Sequence, residues 1–153
     1  MNIFVTNECP VESAKFLDDK RVIKMILESA QMLSTAVQLH GGPQGGLYRV
    51  THINHPCTVW VSATQGNYLW LYYHYQALMA EYFHRFGKRH KSSILQYELL
   101  WGLKYIPKGD LQPFVNCTKY KYIPVFRAYQ LCLNDKWDQD KREPVWTKQE
   151  NVA

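Results

Sequence analysis

Acidic residues are in short supply. Thirteen Asp and Glu against 18 Lys and Arg leave this 153-residue chain with a net charge of +5. Such an excess permits an anionic partner, nucleic acid included, without demanding one. Long apolar runs are missing too, and no segment approaches the about 18 residues of a membrane span, so no membrane association is expected. The opening Met1-Asn2-Ile3-Phe4-Val5-Thr6 lacks the basic stretch and apolar core of a secretory leader. Cys9, Cys57, Cys117 and Cys132 include no C-x-x-C pair, which argues against a zinc site and for reduced thiols in a cytoplasmic protein. The glycines of Gly41-Gly42-Pro43-Gln44-Gly45-Gly46 come without the lysine of a P-loop and without a preceding strand, and no Gly-x-Ser-x-Gly elbow occurs. ATP-driven chemistry and serine hydrolysis are therefore disfavoured. Repeats, low-complexity tracts and linkers are absent, so residues 1–153 are expected to form one domain.

Aromatic residues, by contrast, are abundant: 14% of the chain, including 11 Tyr and 5 Trp. They supply core volume and also flat surfaces on which a base can stack. The most informative segment, which holds no aromatic residue, runs from Asp18 to Gln31, and its pattern continues to Val37. Lys20, Lys24, Glu28, Gln31 and Thr35 recur at helical spacing and predict one polar face. Ile23, Ile26, Leu27, Ala30, Leu33 and Val37 predict an apolar face opposite. Amines, a carboxylate and an amide in line can bind a phosphate and move a proton. An ordinary solvated face with a Lys24–Glu28 ion pair would show the same spacing.

The remaining signals complete an all-α outline of about five helices with a short extended N-terminal arm. Pro10 suits a first helical position, predicting a short helix to Leu17. Asp18 or Asp19 caps the long helix, which Gly41-Gly42-Pro43 stops near His40. A Gly-rich loop follows over 41–56, with a strand expected at Leu47–His52. Pro56 opens the next helix. Gly66-Asn67 is expected to break it, with Asn67 capping a second long helix from Tyr68 to Phe86, ended by Gly87. Ser92 or Ser93 predicts a helix reaching Leu103, residues 104–122 a loop, and Pro124 a last helix through Leu133. From about residue 135 the chain is expected to be a polar tail, with Trp137 and Trp146 as anchors.

Glu28 is the candidate general base, or the group that stabilises a positive sugar-like transition state. Lys24 can hold a phosphate, orient Glu28 or attack carbon. His55, ahead of Pro56, can cap a helix, bind a phosphate or orient Glu28. Lys20 and Arg21 are candidate phosphate ligands, Arg21 as a bidentate fork, and Gln31 extends that polar face. His74, Glu81 and Arg85 are candidates for a polar cleft between helices. Lys88 and Arg89, in the basic run 84–91, form with Arg85 a candidate nucleic-acid contact; Lys119 and Lys121 make a second basic patch. His52, His55 and Cys57 do not add up to a metal site, and no cofactor is expected.

The pattern of Phe4, Ser13-Ala14, Leu17-Asp18-Asp19-Lys20-Arg21, Lys24, Glu28, Gln31-Met32-Leu33, His55-Pro56, Trp60 and Glu81 resembles the pyrimidine-dimer DNA glycosylases of the endonuclease V type, found in phages and bacteria. The likeness covers about the first 85 residues. It implies an all-helical DNA repair enzyme, in the host cytoplasm if viral. Such an enzyme acts on double-stranded DNA and cuts the N-glycosidic bond of a damaged or modified pyrimidine by amine attack on the sugar carbon. A Schiff base forms, strand cleavage by a lyase step can follow, and the nucleotide is taken out of the stack. The glutamate role would pass to Glu28 and phosphate contacts to Lys20, Arg21 and Lys24. The best-known members use the amine of a small residue exposed when the initiator Met is removed. Asn2 is bulky and keeps Met1 in place, so the nucleophile is open among the Met1 amine, Lys24 and activated water. A phage-type base-modifying enzyme, a non-catalytic nucleic-acid-binding domain and a helical interaction protein are the competing readings; the oligomeric state is open.

Overall fold

Two long helices lie side by side and the rest of the chain is arranged about them. The computed structural model describes residues 1–149. Among these the helices are α1 (Pro10–Phe16), α2 (Asp19–Leu39), α3 (Pro56–Ala63), α4 (Gln65–Phe86), α5 (Gln96–Trp101) and α6 (Val125–Gln139), with short 3-10 turns on both sides of α5 and no strand. The all-α expectation is met. Among the described residues no helix is long and apolar enough to cross a membrane.

The core is the α2–α4 seam, closed by α1, α3 and the N-terminal arm. Val22, Met25, Ile26, Leu33 and Val37 of α2 meet Tyr68, Leu71, Tyr75 and Leu78 of α4 in one buried cluster. The stripe differs from the expected one. Ile23 and Leu27 are exposed, whereas Glu28, Ser29 and Thr35 are buried. The reason is that α2 is covered on more than one side, by α3 as well as α4, so its polar stripe does not all face water.

Several local expectations are corrected. Thr64, not Asn67, caps α4: its Oγ1 accepts the Asn67 N–H at 3.1 Å. Asn67 instead donates to the Trp60 carbonyl at 2.8 Å and tethers Gln112. Gly66 does not break the helix; it lets the loop pass close by, since a Cβ there would lie 2.1 Å from the Leu111 nitrogen. Gly87 does end α4, at φ 70°. The segment 47–52 is not a strand. It lies along α2, bonded by side chains: Thr35 Oγ1 takes the Thr51 N–H (3.1 Å) and Gln38 Nε2 donates to the Tyr48 carbonyl (2.7 Å). In residues 135–149 the two expected anchors, Trp137 and Trp146, are found, and only the expected helix end at Leu133 is corrected. The last helix runs on to Gln139, Trp137 Nε1 donates to Asp18 (2.9 Å) and Trp146 Nε1 to the Phe16 carbonyl (3.0 Å). Residues 150–153 of the expected domain lie outside the described residues.

Candidate active site

The site begins with the arm. Residues Ile3, Phe4, Val5 and Thr6 have no regular structure, yet all four are buried. Buried backbone outside helices must find side-chain partners, and it does. Ser13 Oγ accepts the Thr6 N–H and donates to the Phe4 carbonyl, both at 3.1 Å. Gln130 Nε2 donates to the Thr6 carbonyl at 3.2 Å, and Asn2 Oδ1 accepts the Phe4 N–H at 2.8 Å. Phe4 sits at φ 38°, where side chains are disfavoured. Its ring, packed edge-on to Tyr129 with centroids 6.5 Å apart, holds it there. The arm is thus pinned between α1 and α6.

That pinning delivers the Met1 amino group to Glu28, 3.2 Å from Oε1. The Met1 side chain is only 3% exposed, while the residue as a whole is half-buried. The thioether is therefore sunk in the core and the residue's exposure lies on its main chain. Glu28 is itself buried. Its Oε2 has no hydrogen-bond donor among the described residues, and the Lys24 ammonium stands 3.8 Å from it. Lys24 is largely exposed on the outer turn. A carboxylate is thus held between an α-amine and a lysine, with one oxygen committed and one free to take a proton.

His55 joins this group. Its Nδ1 accepts the Cys57 N–H at 3.1 Å and caps α3, which leaves Nε2–H as the donor of the neutral ring. Burial holds His55 below the usual histidine range. The N-terminal ammonium and His52 push the same way, and Glu28 opposes them. Cys57 lies behind His55, its Sγ 2.8 Å from Cys117 Sγ, which the loop before α6 brings in.

The structure separates the remaining candidates. Gln31 is half-buried one turn beyond Glu28 on α2. Lys20 is exposed and pairs with Asp140 at 3.4 Å. Arg21, expected to fork a phosphate, is buried and already occupied: its guanidinium meets Asp140 at 2.5 and 3.2 Å and Asp18 at 3.3 Å. Hydrogen bonding to Arg21 holds the Asp140 carboxyl down to about 2. Arg85 is likewise corrected. Its side chain is 0% exposed and bonds Glu81 (2.9 Å), Asp19 (3.1 Å) and the Leu17 carbonyl (2.8 Å), so it ties α4 to the α1–α2 corner and its donors are committed inside the fold. His74 is a core residue stacked on Trp70, not part of a cleft. Lys88 and Arg89 are exposed beyond the end of α4. Arg89 lines a depression shared with Phe83, His90 and Tyr97, a set apart from Met1, Glu28 and His55.

Cys117 is the neighbour that the spacing did not suggest, because 60 residues separate it from Cys57. Beside it Lys119 and Lys121 stand exposed, and Lys121 acts on the Cys117 sulfur. Tyr122 is fully exposed on the same loop.

Comparison with known proteins follows the same line. The family model described as pyrimidine dimer DNA glycosylase matches residues 1–95. The match takes in the arm and α1 to α4, and so Met1, Lys24, Glu28 and His55. No curated protein and no solved structure matches the chain.

Proposed function

This chain belongs to the pyrimidine dimer DNA glycosylase family, and on that premise we propose that it excises a dimerised pyrimidine from double-stranded DNA, with the Met1 amine as nucleophile and a lyase step after it. The observation that carries the reading is the buried Glu28 carboxylate held 3.2 Å from the Met1 amino group. Met1 is favoured over Lys24 as the attacking group because its amino group stands 3.2 Å from the buried carboxylate, whereas the Lys24 ammonium lies 3.8 Å away on a largely exposed side chain.

The electron flow is simple. The unprotonated Met1 nitrogen forms a bond to C1′, and the bond from C1′ to the pyrimidine nitrogen breaks. The base parts from C1′ with that electron pair and takes up a proton, remaining joined to its neighbour through the cyclobutane ring. Opening of the sugar at O4′ then gives an iminium between Met1 and C1′. Loss of a C2′ proton from this adduct expels the 3′ phosphate, which is the lyase step. Glu28 receives the proton released from the amine, on Oε2, which accepts no hydrogen bond among the described residues. Glu28, once protonated, returns that proton to O4′ as the ring opens, the departing base takes its proton from solvent, and the neutral His55 ring hydrogen-bonds either group through Nε2–H without giving up its own proton. Lys24, Lys20 and the polar Gln31 serve the phosphates beside the site. Lys119 and Lys121 extend that basic rim, Tyr122 offers a ring for a displaced base, and Lys88 with Arg89 provides a second contact along the duplex.

Borohydride trapping tests the reading. The protein is mixed with a duplex carrying a cyclobutane pyrimidine dimer and reduced, and the adduct is mapped by peptide mass spectrometry. A covalent band on the Met1 peptide is expected. A band on the Lys24 peptide, or excision with no band, would replace the nucleophile by lysine or water. Binding without excision would leave a nucleic-acid-binding domain, and a converted but retained base would mean a modifying enzyme.

A further inference from the structure

We propose that Cys117 and Cys57 are a peroxide-reactive pair, in which Cys117 is oxidised first and Cys57 resolves it to a disulfide that clips the loop before α6 onto α3. Neither thiol has a part in the glycosylase chemistry, and neither is disulfide-bonded here.

Proximity is the first argument. The two sulfurs lie 2.8 Å apart, so less than about 1 Å of approach reaches the bonded distance of roughly 2.05 Å. With His55 they could also be read as a metal triad, since the three ligand atoms lie within 4.8 Å of one another. The spacing speaks against that. Two thiolates on a tetrahedral zinc, each at about 2.3 Å, stand about 3.7 Å apart. The sulfurs are already closer than a shared metal would hold them.

Asymmetry is the second argument. Cys57 is wholly buried and Cys117 half-exposed, so an oxidant reaches Cys117 first. The hydrogen bond from Cys57 favours the Cys117 thiolate against the opposing effect of burial, with the Tyr129 hydroxyl, Lys121 and the N-terminal ammonium acting in the same direction as the hydrogen bond. The same hydrogen bond, with burial, keeps the proton on Cys57. An accessible thiolate beside a protonated resolving thiol is the arrangement found in redox-sensing pairs.

The chemistry balances with hydrogen peroxide as oxidant. The Cys117 thiolate attacks one peroxide oxygen and becomes the sulfenic acid as hydroxide leaves. The Cys57 sulfur then attacks the Cys117 sulfur, the S–O bond breaks, and the Cys57 proton leaves with that oxygen as water. Two thiols and one peroxide give one disulfide and two waters. A cellular thiol reverses the step by exchange.

The test needs no DNA. The full chain is stripped of metal with a chelator, treated with near-stoichiometric peroxide, alkylated under denaturing conditions and mapped by mass spectrometry. The expected result is a Cys57–Cys117 linked peptide, reversible by dithiothreitol, with Cys9 and Cys132 recovered as free thiols. Cys57→Ser is expected to halt at a Cys117 sulfenic acid that dimedone captures, and Cys117→Ser to leave Cys57 unreactive. The oxidised chain should melt at higher temperature, because the link closes a loop through the core. Should Cys57→Ser fail to fold, the wild-type peptide map decides. Cys9 or Cys132 oxidising ahead of an unlinked pair overturns the proposal. So does retention of both thiols while the unstripped chain holds one equivalent of zinc.

Discussion

The Met1 amino group stands 3.2 Å from Oε1 of Glu28, and nothing in the spacing of the helix face announces it. The partner of the carboxylate is the end of the chain, carried in by the buried arm. Glu28→Gln keeps the size of the side chain and removes its charge and basicity. Excision should fall by about 100-fold or more while DNA affinity stays within a few-fold. Single-turnover kinetics with a dimer-containing duplex, alongside a binding titration, make the comparison.

Blocking the amine should act more completely than altering its neighbours. Acetylating Met1, or placing two residues ahead of it, is expected to abolish both the borohydride adduct and excision. Lys24→Gln should weaken binding and slow turnover yet retain the adduct on the Met1 peptide. Intact mass establishes in each preparation that Met1 is the first residue.

The buried His74 gives the fold a pH dependence. Burial lowers its pKa to about 4, against the hydrogen bond to the Pro10 carbonyl. A histidine depressed in the folded state stays neutral there while the unfolded chain takes up its proton. Stability is therefore full above about 6.5 and is lost as pH falls toward about 4. That interval corresponds to about 3 kcal/mol as an order of magnitude. Urea unfolding across this range should show the decline in the natural protein, and His74→Leu should flatten it.

Arg85 should behave as a structural residue. Arg85→Met strands the Glu81 and Asp19 carboxylates in partly buried positions and is expected to cost about 3–5 kcal/mol. Where the variant is still folded, the salt dependence of its DNA binding should match the natural protein. Lys119→Ala with Lys121→Ala should do the reverse: unchanged stability, and a slope of log K against log salt reduced by about 2.

Much of the fold was legible because helix punctuation is local. Pro10, Asp18, Pro56 and Gly87 each marked a boundary found within a residue or two. Misreadings arose where a distant partner decided the outcome. Asn67 has the chemistry of a cap, but Trp60 and Gln112 claim its side chain and Thr64 does the capping. Arg21 and Arg85 carry the charge that phosphate binding requires. Asp140 and Asp19 neutralise them; the first pairing depends on how the end of the last helix returns to α2, the second on how α4 packs against the start of α2. Glu28, Lys24 and His55 could be singled out from residue type and spacing alone. Their meeting with Met1 depended on three-dimensional anchoring by Ser13 and Gln130, which no periodicity encodes.

The bend at Phe4 has a bearing on biosynthesis. A phenylalanine takes that backbone geometry only under compulsion, and the compelling surface includes Tyr129, near the far end of the chain. A ribosome extrudes the opening residues long before that tyrosine emerges. The Met1 amine of a half-made polypeptide therefore has no carboxylate companion held in place, and the chemistry proposed for it comes into being only when synthesis has reached α6.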